Sequence, residues 1–157
     1  MRIGQSIDIH QLTEGEYITL GGVEIACPFK AVAHSDGDAL LHAVAESILG
    51  ALALGDLGHH FPDTDPQYKG ISSLILLEKV YELMAAKNYE INNLDSLILI
   101  EKPKMAPHIE KMRENIAKAL HCDISQISVK ATRGEKLGFV GESKGMVATA
   151  VVMLNEK

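Results

Sequence analysis

Residues 33–54 read AHSDGDALLHAVAESILGALAL, a polar cluster that leads directly into an apolar run. From Asp38 onward, apolar side chains recur every three or four residues, which is the period of an amphipathic helix. These side chains are Leu41, Val44, Ala45, Ile48 and Leu52. Gly55 follows them and supplies a helix stop. The stretch therefore predicts a helix over 38–54 that begins beside the polar cluster.

Two upstream residues extend this pattern. Asp8 and His10 lie two residues apart in an isoleucine-rich segment, and on a strand such residues project from the same face. If the helix packs on that face, His42 can join them in a three-ligand metal site, which leaves a fourth zinc position for water or substrate. By spacing alone, a second interpretation is equally good: His10 is a surface residue, and His42 forms hydrogen bonds at the boundary of its helix.

Length and composition restrict the class of protein. With 157 residues, 46% of them hydrophobic and 23% charged, we expect one globular domain, 1–157. A formal net charge of −6 is evidence against non-specific nucleic-acid binding, which depends on a basic face. Cys27 and Cys122 form neither a CxxC pair nor a disulfide framework. Without a signal segment or a membrane-length apolar run, we expect a soluble, cytoplasmic protein with no membrane partner.

Outside the helix, strand-like and helix-like segments alternate along the chain. Gly21-Gly22 separates two segments with strand propensity, which indicates a hairpin, and Pro107 stands where a first-turn proline opens a helix. The predicted strands are 2–10, 17–20, 23–26, 94–100, 127–131 and 146–154, and the other predicted helices run from Ser72 or Ser73 to Lys87 and from Pro107 to Leu120. This order predicts an α/β (α+β) fold: a two-layer subunit with a mixed β-sheet and helices packed on one face.

Three connecting segments carry polar side chains suited to anionic ligands. Residues 55–69 include Asp56, Asp63 and Asp65, although a solvated turn is the commoner explanation of such a segment. Residues 102–107 form a rigid basic connection before a helix N-terminus, where backbone N–H groups and lysines can face an anion. Residues 132–139 also follow a strand and combine glycines with hydroxyl and charged side chains, a composition suited to phosphate. Neither basic segment is a Walker motif, so these residues alone do not identify a ligand.

Several long motifs in fixed order carry a family resemblance. They are Asp8-x-His10, AHSDGDALLHA at 33–43, GDLGHHFPDTDPQYKG at 55–70, PKMAPH at 103–108, and VKAT with EKLGF across 129–139. On these motifs the chain resembles the 2-C-methyl-D-erythritol 2,4-cyclodiphosphate synthase family over essentially its full length. The resemblance implies a homotrimer of two-layer subunits with active sites between neighbours. It also implies cyclisation of 4-diphosphocytidyl-2-C-methyl-D-erythritol 2-phosphate with release of CMP, in the non-mevalonate route to isoprenoid precursors.

The resemblance also assigns site residues. It implies zinc at Asp8, His10 and His42, magnesium or manganese at Glu135, and catalytic roles for His34, Arg133 and Glu135. It places His34 and Ser35 beside the phosphates, and it places the erythritol part near 56–58 and 61–65 and the cytidine near 100–106 and 131–132. The residues expected to contact substrate are Asp8, His10, His34, Ser35, Asp56, Leu57, Gly58, Phe61, Pro62, Asp63, Thr64, Asp65, Ile100, Pro103, Lys104, Met105, Ala106, Ala131, Thr132, Arg133, Glu135 and Phe139.

The chain departs from the family pattern at a few positions. Arg133-Gly134 replaces two residues that usually carry hydroxyls, so the hydroxyl credited with steadying the transition state is absent. An arginine can bind phosphate by charge instead if Gly134 lets the backbone shift. Glu46 is more often Asp in the family, and Glu142 stands where many members carry an Arg that holds an isoprenoid diphosphate, an anion that a carboxylate would repel. Two alternatives to the synthase are a trimeric zinc-binding scaffold with weak turnover and a metal-dependent phosphohydrolase.

Overall fold

The computed structural model describes residues 1–157, which form seven strands in two sheets. The strands are β1 (Arg2–Glu14), β2 (Tyr17–Leu20), β3 (Val23–Ala26), β4 (Phe29–Ala31), β5 (Tyr89–Leu99), β6 (Ile127–Thr132) and β7 (Gly145–Glu156). Five of them form the main sheet in the order β4-β1-β7-β5-β6. Only the β5–β6 pair is parallel, so the predicted mixed sheet is confirmed. Strands β2 and β3 form the predicted hairpin.

Three long helices supply the second layer. The long helices are α1 (Ala39–Ala51), α3 (Ser73–Ala86) and α4 (Ile109–Ala119), and the two four-residue helices are α2 (Leu57–His60) and α5 (Gly138–Gly141). Short 3-10 turns lie at 66–68, 106–108 and 124–126. Helix α1 packs on β1 and β7, α3 packs against α1, and α4 packs against β6. None of the helices has the length and apolar character needed to cross a membrane.

Element boundaries differ from the sequence prediction where long-range contacts decide them. Helix α1 ends at Ala51, because the chain turns through Ala53 at a positive φ of 54°. Strand β1 continues past His10 to Glu14, since its end pairs with β4, a strand that the sequence did not reveal. Strand β5 begins five residues before Leu94 and accommodates an irregularity between Ile91 and Asn93.

Two loop assignments also need correction. Pro107 lies in the 3-10 turn 106–108, and α4 begins only at Ile109, so the proline precedes the helix instead of occupying its first turn. The predicted connecting segments 55–69 and 132–139 contain α2 and the start of α5. Four-residue helices lack a long periodic stretch, so hydrophobic periodicity does not detect them.

The two faces of β1 have different environments. Ser6 and Leu12 point to the helix layer and are buried. The alternate side chains point to the opposite face, where Ile3 is 65% exposed and both Ile7 and Ile9 are 56% exposed. Val151 on β7 is exposed as well, and it pairs with Gln5 of β1. Helices therefore cover one face of the sheet, and the single chain leaves a largely apolar second face open.

Helix α1 approaches β1 unusually closely at Gly4. A Cβ atom on Gly4 would lie 1.9 Å from the carbonyl oxygen of Ser47, so only glycine permits this backbone contact. Two residues further along β1, the Ser6 hydroxyl donates to Glu46 over 3.1 Å. These contacts set α1 antiparallel to β1 and determine which α1 residues lie above the next residues of the strand.

A buried carboxylate holds the start of α1. Asp38 is fully buried and caps the helix by accepting from the backbone N–H of Leu41. It also accepts from the N–H groups of Gly21 and Gly22 over 3.0 and 2.7 Å, at a hairpin turn where both glycines have positive φ. One side chain therefore joins the β2–β3 turn to the helix that follows the polar cluster.

Replacing Asp38 tests this joint. Asp38→Ala removes the acceptor of three N–H groups, and we expect the free energy of unfolding to fall by about 2–4 kcal/mol. Asp38→Asn keeps one oxygen but directs an amide toward Gly22 N–H, so we expect an intermediate loss. Chemical denaturation measures both values, with the exposed turn cap Asp123→Ala as the matched control. An Asp38→Ala protein no less stable than this control would contradict the assignment.

The ionisation of Asp38 gives a second, independent test. Burial raises its pKa to about 6, the negative charge of Asp36 acts in the same direction, and the three N–H bonds oppose the rise. Because the folded pKa exceeds the unfolded value, the contribution of this group is greatest below about pH 4 and is lost as the pH rises to about 6. The stability of the wild type relative to Asp38→Asn should fall over that interval.

Candidate metal centre and active site

The first strand and the first long helix bring three potential ligands together. Asp8 and His10 lie on the helix-facing side of β1, and His42 lies one turn before Glu46 on α1. His10 Nε2 lies 2.9 Å from Asp8 Oδ2, and His42 Nδ1 lies 3.3 Å from each of these two atoms. The structure thus assembles the three residues that the sequence singled out, and we name them the Asp8–His10–His42 cluster.

The geometry of this cluster fits a divalent cation. Ligand atoms about 2.0–2.1 Å from a tetrahedral metal lie about 3.3 Å from one another, close to the separations between these three atoms. Asp8 Oδ2 is buried and makes no hydrogen bond of acceptable geometry, although His10 Nε2 is near. A buried carboxylate oxygen without a hydrogen bond needs another partner. A possible metal site therefore exists at the cluster.

Charges within the cluster shift its protonation. Burial raises the pKa of Asp8, but the two imidazoles outweigh burial and hold that pKa well below its usual range. Burial lowers the pKa of His10, yet the Asp8 carboxylate leaves it above its ordinary value. Because a metal needs the neutral imidazole, protons and metal compete for His10. Acidification would therefore weaken metal binding at the cluster.

A cavity of about 320 Å³ opens on the cluster. His34 and Ser35 line it beside the cluster, and Leu57, Phe61 and Asp63 line it from the segment that follows α1. The other predicted residues of this segment do not line the cavity. Asp56 caps α2, and Asp65 caps the 3-10 turn 66–68. The others are Gly58, Pro62 and Thr64. We call this space the metal-side cavity.

A second cavity, of about 220 Å³, lies at the ends of β5 and β6. It is formed by the predicted cytidine region together with Arg133 and one additional residue, Ile109. Its lining residues are Ile100, Pro103, Lys104, Met105, Ala106, Ile109, Ala131, Thr132 and Arg133. We call it the strand-end cavity.

The two cavities lie at the same end of the sheet but over different strands. Ile9 pairs with Val147, Val147 with Leu99, and Leu99 with Thr132, so one row of residues crosses four strands. Three strand spacings correspond to about 14 Å. Within one chain, Glu135 and Phe139 are exposed beyond β6 and line neither cavity.

Comparison with known proteins places this geometry in a family. The model of the YgbB family matches residues 1–155. The chain belongs to the YgbB family. A curated 2-C-methyl-D-erythritol 2,4-cyclodiphosphate synthase from Chloroherpeton thalassium is 54% identical over 156 residues, covering 99% of both chains. A synthase of the same name from Pseudomonas fluorescens is 54% identical over 154 residues, covering 98% of both.

Solved structures of similar proteins share the fold. The bifunctional IspDF of Campylobacter jejuni superposes with a TM-score of 0.95 at 38% identity; the match covers 99% of this chain but only 42% of that longer one. A Plasmodium falciparum IspF, solved as a CDP complex, superposes with a TM-score of 0.87 at 39% identity, covering 99% of this chain and 96% of the other. The family resemblance that the sequence motifs carried is thereby confirmed.

Several residues of the site were missed from the sequence. Tyr68, Ile71 and Leu76 line the metal-side cavity. Tyr68 lies in the 55–70 motif, and that motif was the sequence signal that could have identified it. Ile71 and Leu76 lie in no motif, so no sequence signal pointed to them. Ser73 was noted only as a helix start, yet its hydroxyl lies 2.9 Å from His42 Nε2. Contacts between residues thirty positions apart leave no local pattern.

Removing one ligand tests the metal site. In His42→Ala, a two-ligand remnant binds a divalent cation far more weakly than three ligands do, so we expect the metal content of the purified protein to fall close to zero. Elemental analysis measures the content, and circular dichroism checks that the fold persists. His108→Ala, which lies outside the cluster, is the matched control. Full metal content in His42→Ala would remove His42 from the ligand set.

Proposed function

We propose that this chain cyclises 4-diphosphocytidyl-2-C-methyl-D-erythritol 2-phosphate to 2-C-methyl-D-erythritol 2,4-cyclodiphosphate, with release of CMP. The observation that carries this proposal is a metal-ligand cluster and a nucleoside-sized cavity in one chain. That chain is 54% identical, over 99% of both lengths, to a curated 2-C-methyl-D-erythritol 2,4-cyclodiphosphate synthase. The enzyme is a phosphorus–oxygen lyase that contributes to isoprenoid biosynthesis by the non-mevalonate route.

The reaction is an intramolecular phosphoryl transfer. An oxygen of the 2-phosphate attacks the β-phosphorus, a new P–O bond closes the ring, and the bond from the β-phosphorus to the bridging oxygen breaks. CMP leaves with that bridging oxygen and the electron pair. Both reacting groups are anionic parts of one substrate, so positioning and charge compensation supply most of the rate. We therefore propose that a bent substrate spans the metal-side cavity of one subunit and the strand-end cavity of its neighbour.

The metal-side cavity supports the assignment of the phosphate and erythritol contacts. His34 and Ser35 lie on its wall beside the cluster, where an imidazole and a hydroxyl can donate to phosphate oxygens. Leu57, Phe61 and Asp63 provide apolar and carboxylate contacts for the erythritol part. We propose that Asp56, Gly58 and the rest of the 61–65 loop complete this subsite through their backbone and capping interactions. These residues are Pro62, Thr64 and Asp65.

The strand-end cavity supports the assignment of the cytidine. Its wall is largely apolar, and Lys104 and Arg133 at its edge provide positive charge for the adjoining phosphates. The Plasmodium falciparum relative was solved as a CDP complex, which supports a cytidine nucleotide as the ligand. We propose that backbone groups of 100–106 and 131–132 read the base edge.

The cluster also supports specific metals. Two imidazoles and one carboxylate suit zinc, so we propose Zn²⁺ at the Asp8–His10–His42 cluster and Mg²⁺ or Mn²⁺ on the substrate diphosphate at Glu135. When bound, the cations supply positive charge that offsets the repulsion between the two phosphate groups. Asp8, His10 and His42 would hold the first cation, and the carboxylate of Glu135 would hold the second.

We further propose a homotrimer whose active sites form between neighbours. One chain leaves an apolar sheet face open, and such a face commonly marks an interaction surface. Its exposed members are Ile3, Ile7, Ile9 and Val151. Glu135 and Phe139 lie beyond β6, away from the metal-side cavity of their own chain, so a neighbour's loop would bring them to it. Phe139 would then contact substrate from the neighbouring subunit.

The same proposal covers domain extent and location. The family match over 1–155 and one contiguous hydrophobic core support a single synthase domain, 1–157. Cys27 and Cys122 are both free thiols, which agrees with a reducing cytoplasm. The zinc-binding scaffold with weak turnover, considered because of Arg133-Gly134, is not favoured, because the curated relatives that match over nearly the full chain are named as synthases.

Product analysis tests the proposed reaction. The metal-loaded protein is incubated with the cytidyl substrate, and CMP and the phosphate product are followed together. We expect cyclic diphosphate and CMP in equal amounts, because one bond closure expels one CMP. Linear products would indicate a phosphohydrolase, and absence of turnover with normal nucleotide binding would indicate the scaffold. His42→Ala is the inactive control.

Subunit mixing tests the shared site. His42→Ala and a Thr132→Ala/Glu135→Ala double variant should each be inactive, because each damages a different half of every site. After random exchange of equal amounts, roughly a quarter of all sites combine two intact halves, and activity should recover in proportion. Each variant exchanged with itself is the control. An absence of recovery, with exchange verified by native mass spectrometry, would rule out a site built from two subunits.

Arg133 is the residue that the family pattern explains least. It is exposed at the edge of the strand-end cavity, where its guanidinium can reach a substrate phosphate. A charge-assisted contact made mainly in the transition state is worth about ten- to a hundred-fold in rate. Arg133→Ala should lower kcat by that factor, and Arg133→Thr should recover part of it. Lys118 is an exposed cation on α4, so Lys118→Ala controls for the change in net charge. If kcat and KM are unchanged in Arg133→Ala, Arg133 has no role in catalysis.

A further inference from the structure

The His42 ring has polar partners on both of its nitrogens. Nδ1 faces the cluster, 3.3 Å from Asp8 Oδ2. Nε2 points to the opposite side, where the hydroxyl oxygen of Ser73 lies 2.9 Å away and that of Ser35 lies 3.2 Å away. A neutral imidazole carries one hydrogen, so the partner of Nε2 decides which nitrogen is left to bind a metal.

The hydrogen of the Ser73 hydroxyl is already committed. Ser73 Oγ donates to Asp36 Oδ1 over 2.5 Å, and the backbone N–H of Ser73 donates to Asp36 Oδ2 over 2.8 Å. A carboxylate only accepts, so both bonds run from Ser73 to Asp36. Ser73 is 1% exposed and is the first residue of α3, so its hydroxyl has little freedom to turn elsewhere.

We propose that Asp36 and Ser73 are positioning residues that set the His42 tautomer for metal binding. With its own hydrogen on Asp36, Ser73 Oγ can only accept from His42 Nε2–H, which leaves the lone pair of Nδ1 directed at the cluster. The chain of bonds runs from His42 Nε2–H to Ser73 and from Ser73 to the Asp36 carboxylate. It is a carboxylate–histidine–metal arrangement with a serine inserted between carboxylate and ring. The inference rests on the metal assignment within the proposed function and deepens it.

Ser35 does not duplicate this role. Its oxygen is farther from Nε2, accepts weakly from the N–H of Gly37 over 3.4 Å, and has no bond that commits its hydrogen to a carboxylate. Ser35 also lines the metal-side cavity, whereas Ser73 does not. The two serines near His42 Nε2 therefore have different roles: Ser73 orients the His42 ring, and Ser35 keeps its hydroxyl hydrogen available to the substrate.

Metal affinity separates these roles without any measurement of turnover. Zn²⁺ is titrated into the metal-free full-length protein against a chromophoric chelator. Removing an outer partner of a ligating histidine typically weakens metal binding by about 10–100-fold, and we expect this loss in Ser73→Ala. Asp36→Asn should lose affinity as well, because an amide N–H can reverse the direction of the Ser73 bond. Ser73→Thr retains the hydroxyl and should retain more affinity than Ser73→Ala.

Ser35→Ala is the matched control, because it removes the other hydroxyl near the same nitrogen. Its Zn²⁺ affinity should stay close to that of the wild type. The proposal is overturned if Ser73→Ala binds Zn²⁺ as tightly as the wild type, or if Ser35→Ala loses as much affinity as Ser73→Ala.

A measurement on the wild type covers the case in which the variants fail to fold. Nitrogen-15 spectra of the histidine rings in the Zn²⁺-loaded protein should show His42 protonated at Nε2 and ligated at Nδ1. Ligation through Nε2 would overturn the proposal. Wild-type protein that binds Zn²⁺ but makes no cyclic product would count against the proposed function alone, and normal product with unchanged affinity in Ser73→Ala would count against this inference alone.

Discussion

The close contact of α1 with β1 is the constraint on which the site depends. At Gly4 the two backbones meet with no room for a side chain, and from there α1 runs antiparallel to the strand. The Ser6–Glu46 bond continues this register, and one helical turn further on His42 meets Asp8 and His10. A shift of one helical position at Gly4 would rotate His42 away from the other two ligands. Packing far from the chemistry therefore determines whether the cluster exists.

Much of this site could be predicted from the sequence, because its parts have local signatures. The two-residue spacing of Asp8 and His10 and the helical period around His42 predicted a shared face, and the structure assembles it. The inserted serine could not be found in this way, since Ser73 and Asp36 are 37 positions apart. The same limit applies to β4, which is defined only by its pairing with β1. Hydrophobic periodicity does not predict contacts between residues that are far apart in the sequence.

Three neighbouring aspartates show how environment, and not residue type, assigns roles. Asp8 is held ionised by two imidazoles and offers a buried oxygen that lacks a hydrogen bond. Asp36 accepts two hydrogen bonds from one serine. Asp38 is fully buried, accepts only backbone N–H groups, and has a pKa raised by that burial. One carboxylate suits a metal, one orients the ligand sphere, and one joins a hairpin to a helix.

The open apolar face of the sheet has a consequence for how the protein behaves in dilution. Hydrophobic side chains such as Ile7 and Ile9 gain free energy only when another surface covers them. Stability that comes from such an association obeys mass action, so it depends on the concentration of the chain itself. Unfolding and dissociation would then be coupled equilibria. The abundance of this protein, and not its sequence alone, would set the temperature at which it unfolds.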